Sequence, residues 1–90
     1  MKDQSLPTDL DGWRRRIDAI NAELVALLNK RANCAVEIGK IKREKSLPVF
    51  DPQRENHILE KVSVVNKGPL SNEALVRIFK TIMEENRALE

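Results

Sequence analysis

Apolar residues in the first half of the chain recur in alternating steps of three and four: Leu10, Trp13, Ile17, Ile20, Leu24, Leu27, then Cys34, Ile38 and Ile41. That rhythm predicts one continuous helix over about residues 9–45, with a seam like that of a coiled coil. Thr8 is the expected N-cap, with Asp9 and Asp11 in a first turn where the helix dipole favours anions. Gly39 is the weak helix former, costing about 1 kcal/mol relative to Ala; a small residue there permits close approach of another helix or a ligand. Pro48 ends this helix or closely follows its end. Asp51-Pro52 restarts a helix, an Asp cap followed by Pro at the first helical position. Ile58, Leu59, Val62 and Val65 give the apolar face of this second helix, over 52–65. Asn66-Lys67-Gly68-Pro69 is a turn cluster. Ser71 caps a third helix over 72–89, with Leu75, Ile78, Phe79, Ile82, Met83 and Leu89 as its stripe. No strand-like alternation appears, so the expected fold is all-α: three helices in a single domain over 1–90, with 1–7 a loose lead-in.

Length bears on assembly. A helix of about 36 residues spans about 54 Å, whereas a compact 90-residue monomer has a radius of gyration near about 12 Å. Such a helix overhangs its own domain and leaves the Leu10–Leu24 part of the seam in water. A two-fold dimer with paired long helices buries it. The alternative is a break near Asn29 or Asn33 that folds the segment into a short bundle.

Composition narrows the function. The formal net charge is +2 and basic and acidic residues are interleaved, which gives no electrostatic footprint for nucleic acid. The aromatics are Trp13, Phe50 and Phe79, too few for a base-stacking surface. A lone Cys34 excludes an intrachain disulfide, fits a reducing compartment and reads as core. No apolar run reaches the roughly 18 residues of a membrane span, and the first residues have no signal-peptide core. The expectation is a cytoplasmic protein without membrane contact. His57 has no partners at ligand spacing, so no metal site and no cofactor are expected.

Several charged residues do not pattern as surface. Arg31 stands on the seam where the repeat asks for an apolar side chain, and a guanidinium there needs anionic partners. Lys42 returns to nearly the same face roughly 16 Å further along. Two cations therefore flank inward-facing helix lined by Ala35 and Ile38, an arrangement suited to a small dianion. Arg14 lies about 25 Å from Arg31 along the axis and could serve such a pocket only in a partner chain. Asp51, Arg54 and Glu55 occupy the first turn of the second helix, and Asn86 and Glu90 extend the stripe of the third. Each has a plainer reading: Arg31 in a structural ion pair, Lys42 in a solvated basic run, Asp51 as a cap only, Arg14 as one of three surface arginines, Glu90 as a frayed terminus.

Together, Arg31 to Lys42 (RANCAVEIGKIK), Pro48 to Glu55 (PVFDPQRE), Arg14-Arg15-Arg16-Ile17-Asp18 and the segment from Phe79 to Glu90 resemble the all-helical chorismate mutase family. The resemblance implies an intertwined helical homodimer that converts chorismate to prephenate by an intramolecular [3,3] rearrangement. It would be a stand-alone enzyme or one domain of an aromatic-biosynthesis fusion. It assigns the substrate carboxylates to Arg31 and the partner's Arg14, and a carboxylate and the ether oxygen to Lys42. Asp51 and Glu55 would bind the ring hydroxyl, with Arg54 supporting the carboxylate region. Asn86 and Glu90 would close the site, Glu90 reaching the ether oxygen from the other side. Lys42, Glu90 and Arg31 are thus the implied catalytic residues.

The chemistry suits the residues. A pericyclic reaction needs a folded substrate conformer and stabilisation of charge growing on the ether oxygen. Relatives often carry Ser at the Asn86 position and Gln or Glu at the Glu90 position. A Glu must be protonated to donate, so activity is expected to fall as pH rises. Two other functions fit the same pattern. An isochorismate pyruvate-lyase shares the fold, but Asp51 and Glu55 favour the mutase; a non-catalytic helical dimer could sense an aromatic-pathway metabolite.

Overall fold

The computed structural model describes residues 6–90, which form three α-helices in the order α1 (Leu10–Glu44), α2 (Pro52–Val65) and α3 (Asn72–Arg87). By contacts the chain divides into two compact units, one ending at Lys30 and the other comprising Arg31–Glu90. No helix among the described residues is long and apolar enough to cross a membrane.

In the first unit, the cap differs from expectation by one residue. The Asp9 carboxylate accepts from the Gly12 N–H at 2.9 Å, and the Asp9 carbonyl accepts from the Trp13 N–H at 3.2 Å. Asp9 rather than Thr8 therefore caps α1, combining the capping bond with a full negative charge at the positive end of the dipole. Along this part of α1 nothing else in the described chain covers the seam: Leu10, Trp13, Ile17, Ile20, Leu24 and Leu27 are exposed, at 42 to 63%.

In the second unit, α1 ends in a Schellman motif. The Leu47 N–H reaches the Lys42 carbonyl at 2.8 Å and the Ser46 N–H reaches the Arg43 carbonyl at 3.3 Å. Ser46 takes the left-handed position with φ 55°, which most helices fill with glycine. Asp51 caps α2, accepting from the Arg54 N–H at 3.1 Å, and Pro52 follows at the first helical position. Asn66 organises the turn that returns the chain: its side chain donates to the Leu70 carbonyl and to Asn72 and accepts from the Gly68 N–H. Ser71 caps α3 through the Ala74 N–H at 3.1 Å.

α2 and α3 pack on each other. The core is small: Ala35 and Met83 are the buried apolar side chains among the described residues, joined by Gly39 and by the polar Asn86. Ile58, Leu59 and Val62 are half-buried, but Val65 at the end of α2 is exposed, as are Ile78 and Leu89 of the α3 stripe. Cys34 is exposed rather than core; it lines the cavity described next, so nothing in this chain covers it. The third helix also stops earlier than its stripe predicts. After Arg87 the chain tightens into i→i−3 bonds, Leu89 N–H to the Asn86 carbonyl and Glu90 N–H to the Arg87 carbonyl. That tight turn presses Glu90 against α1.

Candidate active site

Three segments of the second unit converge on one cavity of about 470 Å³. From α1 come Arg31, Cys34, Ala35, Ile38 and Lys42; from the connection and α2 come Val49, Asp51, Arg54, Glu55 and Ile58; from α3 and its last turn come Met83, Asn86, Arg87 and Glu90. The α1 spacing explains its share: positions 31, 35, 38 and 42 repeat at four, three and four and so share one face. Seven of the eight candidate residues line this cavity: Arg31, Lys42, Asp51, Arg54, Glu55, Asn86 and Glu90. Arg14, the eighth, belongs to the first unit, where it is exposed.

The side chains of the cavity hold one another through direct contacts. Arg31 donates to Oδ1 of the buried Asn86. A guanidinium only donates, so Asn86 must turn its oxygen to Arg31 and keep its amide N–H groups for another acceptor. Lys42 Nζ lies 2.5 Å from Glu90 Oε1 and 2.6 Å from the Val49 carbonyl. Both charged side chains are largely covered, at 17 and 11% exposure, and a charge-assisted bond is strengthened by losing water. Arg43, beside Lys42 in sequence, donates to the Glu90 backbone carbonyl at 2.5 Å. Gly39 makes this contact possible: a Cβ there would lie 2.6 Å from the Glu90 carbonyl oxygen and 2.7 Å from its Cα. The close approach expected at Gly39 is thus made by the last turn of the chain.

Sequence reasoning missed Arg87, Arg43 and Val49. Arg87 Nη1 pairs with Glu55 Oε2 at 3.4 Å, and its guanidinium lies 4.7 Å from the centroid of Phe50. One signal for it was available, since Arg87 follows the buried Met83 by four positions and shares its face. A second depression of about 510 Å³, around Asp51, Gln53, Arg54, Asn56, His57 and Glu60, has six polar residues and no apolar floor. Among the described residues no group of three or more His, Cys, Asp or Glu is placed to hold a metal ion.

The cavity shared by the three helices brings four cations, Arg31, Lys42, Arg54 and Arg87, against three carboxylates, Asp51, Glu55 and Glu90, over an apolar floor of Ala35, Ile38, Ile58 and Met83. One net positive charge remains. The arrangement can hold a small anion by its carboxylates and meet a neutral polar group with its own acids. A family model for chorismate mutase type II matches residues 13–90. The chain belongs to this family. It is 40% identical over 86 residues to the bifunctional chorismate mutase/prephenate dehydratase of Pseudomonas aeruginosa, covering 90% of this chain and 24% of that protein. It thus spans about a quarter of the length of such bifunctional relatives. The chorismate mutase of Methanocaldococcus jannaschii is 30% identical over 78 residues, covering 86% of this chain and 79% of that one. Among solved structures, Form II of the chorismate mutase from Thermus thermophilus superposes with a TM-score of 0.87 at 32% identity, covering 89% of this chain and 91% of that one. The Helicobacter pylori chorismate mutase in complex with prephenate gives a TM-score of 0.82 at 34% identity, covering 89% of this chain and 87% of that one. The three-helix fold of this chorismate mutase family member is therefore that of its relatives.

Proposed function

We propose that this chain is a chorismate mutase, converting chorismate to prephenate in a cytoplasmic homodimer with one mutase domain per subunit. The observation that carries the proposal is the convergence of Arg31, Lys42, Asp51, Glu55, Asn86 and Glu90 on one apolar-floored cavity in a member of this family. The prephenate bound to the Helicobacter pylori relative supports a small dicarboxylate as ligand.

The geometry suggests how the work divides. Arg31, steadied by Asn86, presents its planar fork to one carboxylate. The partner's Arg14 takes the other, brought there by pairing of the exposed seams of two α1 helices. Asp51 and Glu55 accept the ring hydroxyl, with Arg54 beside them. Lys42, bonded to Glu90, faces the ether oxygen. As the C–O bond breaks, negative charge grows on that oxygen, and the ammonium stabilises it without having to reorient. Folding the enolpyruvyl group over the ring is a positioning effect. The apolar floor supports it by excluding water. No proton changes hands and no covalent intermediate forms.

The test is the loss of chorismate absorbance on adding purified protein, with Arg31→Ala as control. Saturable turnover to prephenate, lost in the variant while its helical circular dichroism is retained, supports the assignment. Turnover of isochorismate to pyruvate instead would reassign the site to lyase chemistry. A folded dimer that turns over neither compound would refute catalysis and leave a metabolite-binding module.

A further inference from the structure

We infer that Arg87 is a positioning residue that fixes the Glu55 carboxylate for the substrate hydroxyl, so that it sets preference for the hydroxylated ring rather than holding a substrate carboxylate. The inference rests on the reading of the site as a chorismate mutase centre.

Three observations carry it. Arg87 faces Glu55 across the α2–α3 packing, Nη1 to Oε2 at 3.4 Å, with both side chains mostly covered at 29 and 22% exposure. Its guanidinium is stacked on Phe50, 4.7 Å from the ring centroid. Phe50 is held next to Asp51, whose side chain is committed to capping α2. The guanidinium is therefore located from two directions, by a charge and by a ring face. Glu55 has two carboxylate oxygens and Arg87 engages Oε2. Oε1 is left to accept a hydroxyl proton. A carboxylate on a free rotamer would lose entropy on binding that hydroxyl, whereas one tethered by Arg87 has lost it already.

The ionic partners also argue against direct substrate contact. Arg31 has a neutral partner, the Asn86 amide, so its charge remains for a ligand anion. Arg87 already faces a carboxylate, and its charge is largely matched within the protein.

The experiment measures kcat and KM for Arg87→Met, which keeps the apolar stem over Phe50 and removes the charge, and for Arg87→Lys. Each is assayed in the wild-type and Glu55→Gln backgrounds, with chorismate and with an analogue lacking the ring hydroxyl. Melting curves at one protein concentration monitor the fold. With chorismate, Arg87→Met should lose about tenfold in kcat/KM, the cost of reordering one freed side chain on binding. The loss should shrink to within about threefold with the deoxy analogue or in Glu55→Gln. Arg87→Lys should recover only part of it. A loss of equal size with both substrates, or fully additive with Glu55→Gln, overturns the inference and makes Arg87 either a direct carboxylate contact or a packing residue. Absence of chorismate turnover by the wild type overturns the reading of the site, and this inference with it. Wild-type turnover with additive effects overturns this inference alone.

Discussion

Gly39→Ala sets two effects of one methyl group against each other. An alanine Cβ would stand 2.6 Å from the Glu90 carbonyl oxygen, 2.7 Å from its Cα and 3.1 Å from its carbonyl carbon. Ordinary contacts are about 3.5–4.0 Å, and all three atoms are main chain, so no rotamer change relieves the clash. The Glu90 backbone must retreat by about 1 Å. The Lys42–Glu90 bond, now 2.5 Å, would then lengthen towards the limit of a hydrogen bond, and the Arg43 bond to the Glu90 carbonyl would be lost with it. A misplacement of about 1 Å at a reacting centre costs about a hundredfold in rate.

Stability responds differently. Alanine gains about 1 kcal/mol over glycine inside a helix, which offsets the loss of one or two bonds worth about 1 kcal/mol each. The net is within about 1 kcal/mol, a shift of a few degrees in midpoint for a domain of this size. The expected result is kcat reduced about a hundredfold, from loss of chorismate absorbance, with a melting midpoint within about 8 °C of wild type. Protein concentration must be held constant, because an oligomer's midpoint depends on it. A variant that keeps kcat within about threefold would refute the claim that Gly39 seats Glu90 for catalysis.

Other outcomes follow from the same geometry. Arg14→Ala and Arg31→Ala should each be inactive, yet mixing the two after mild unfolding and refolding should restore about a quarter of wild-type activity. Half the dimers are then mixed, and each holds one intact site; no recovery would exclude arginine donation across the dimer. Ser46→Gly should raise unfolding free energy by about 1 kcal/mol, because Ser46 sits at φ 55°, where glycine meets no Cβ penalty. Urea denaturation at fixed protein concentration measures it, and a loss of stability would show that the Ser46 side chain has a role of its own.

The helices were legible because their signals are local. The three–four rhythm, Asp51-Pro52 and Ser71 depend on neighbours within a turn or two, and the observed helices start within a residue of where those signals put them. Arg31 was legible because it violates a local rule: an apolar repeat with one guanidinium implies a polar environment at that height on the helix. Arg43 was not legible. It sits in a basic run with Lys40, Lys42 and Lys45, and its bond to Glu90 spans 47 positions. Nothing within a helical turn separates it from Lys40, which pairs with Glu37 on the surface. Val49 contributes a main-chain carbonyl, which no side-chain pattern records. The cap moved from Thr8 to Asp9 because both are good caps and only the geometry of the first turn chooses between them.

The pairs inside the cavity bear on how Lys42 is held for a ligand. Lys42 already has two acceptors, the Glu90 carboxylate at 2.5 Å and the Val49 carbonyl at 2.6 Å. An ammonium has three donors, so one is left for a ligand oxygen without breaking either contact. The Arg43 bond and the Gly39 contact hold the Glu90 main chain where it keeps that pair together. A third donor fixed in this way would meet negative charge growing on a ligand oxygen without having to reorient, which is the condition for lowering a barrier rather than merely binding the substrate.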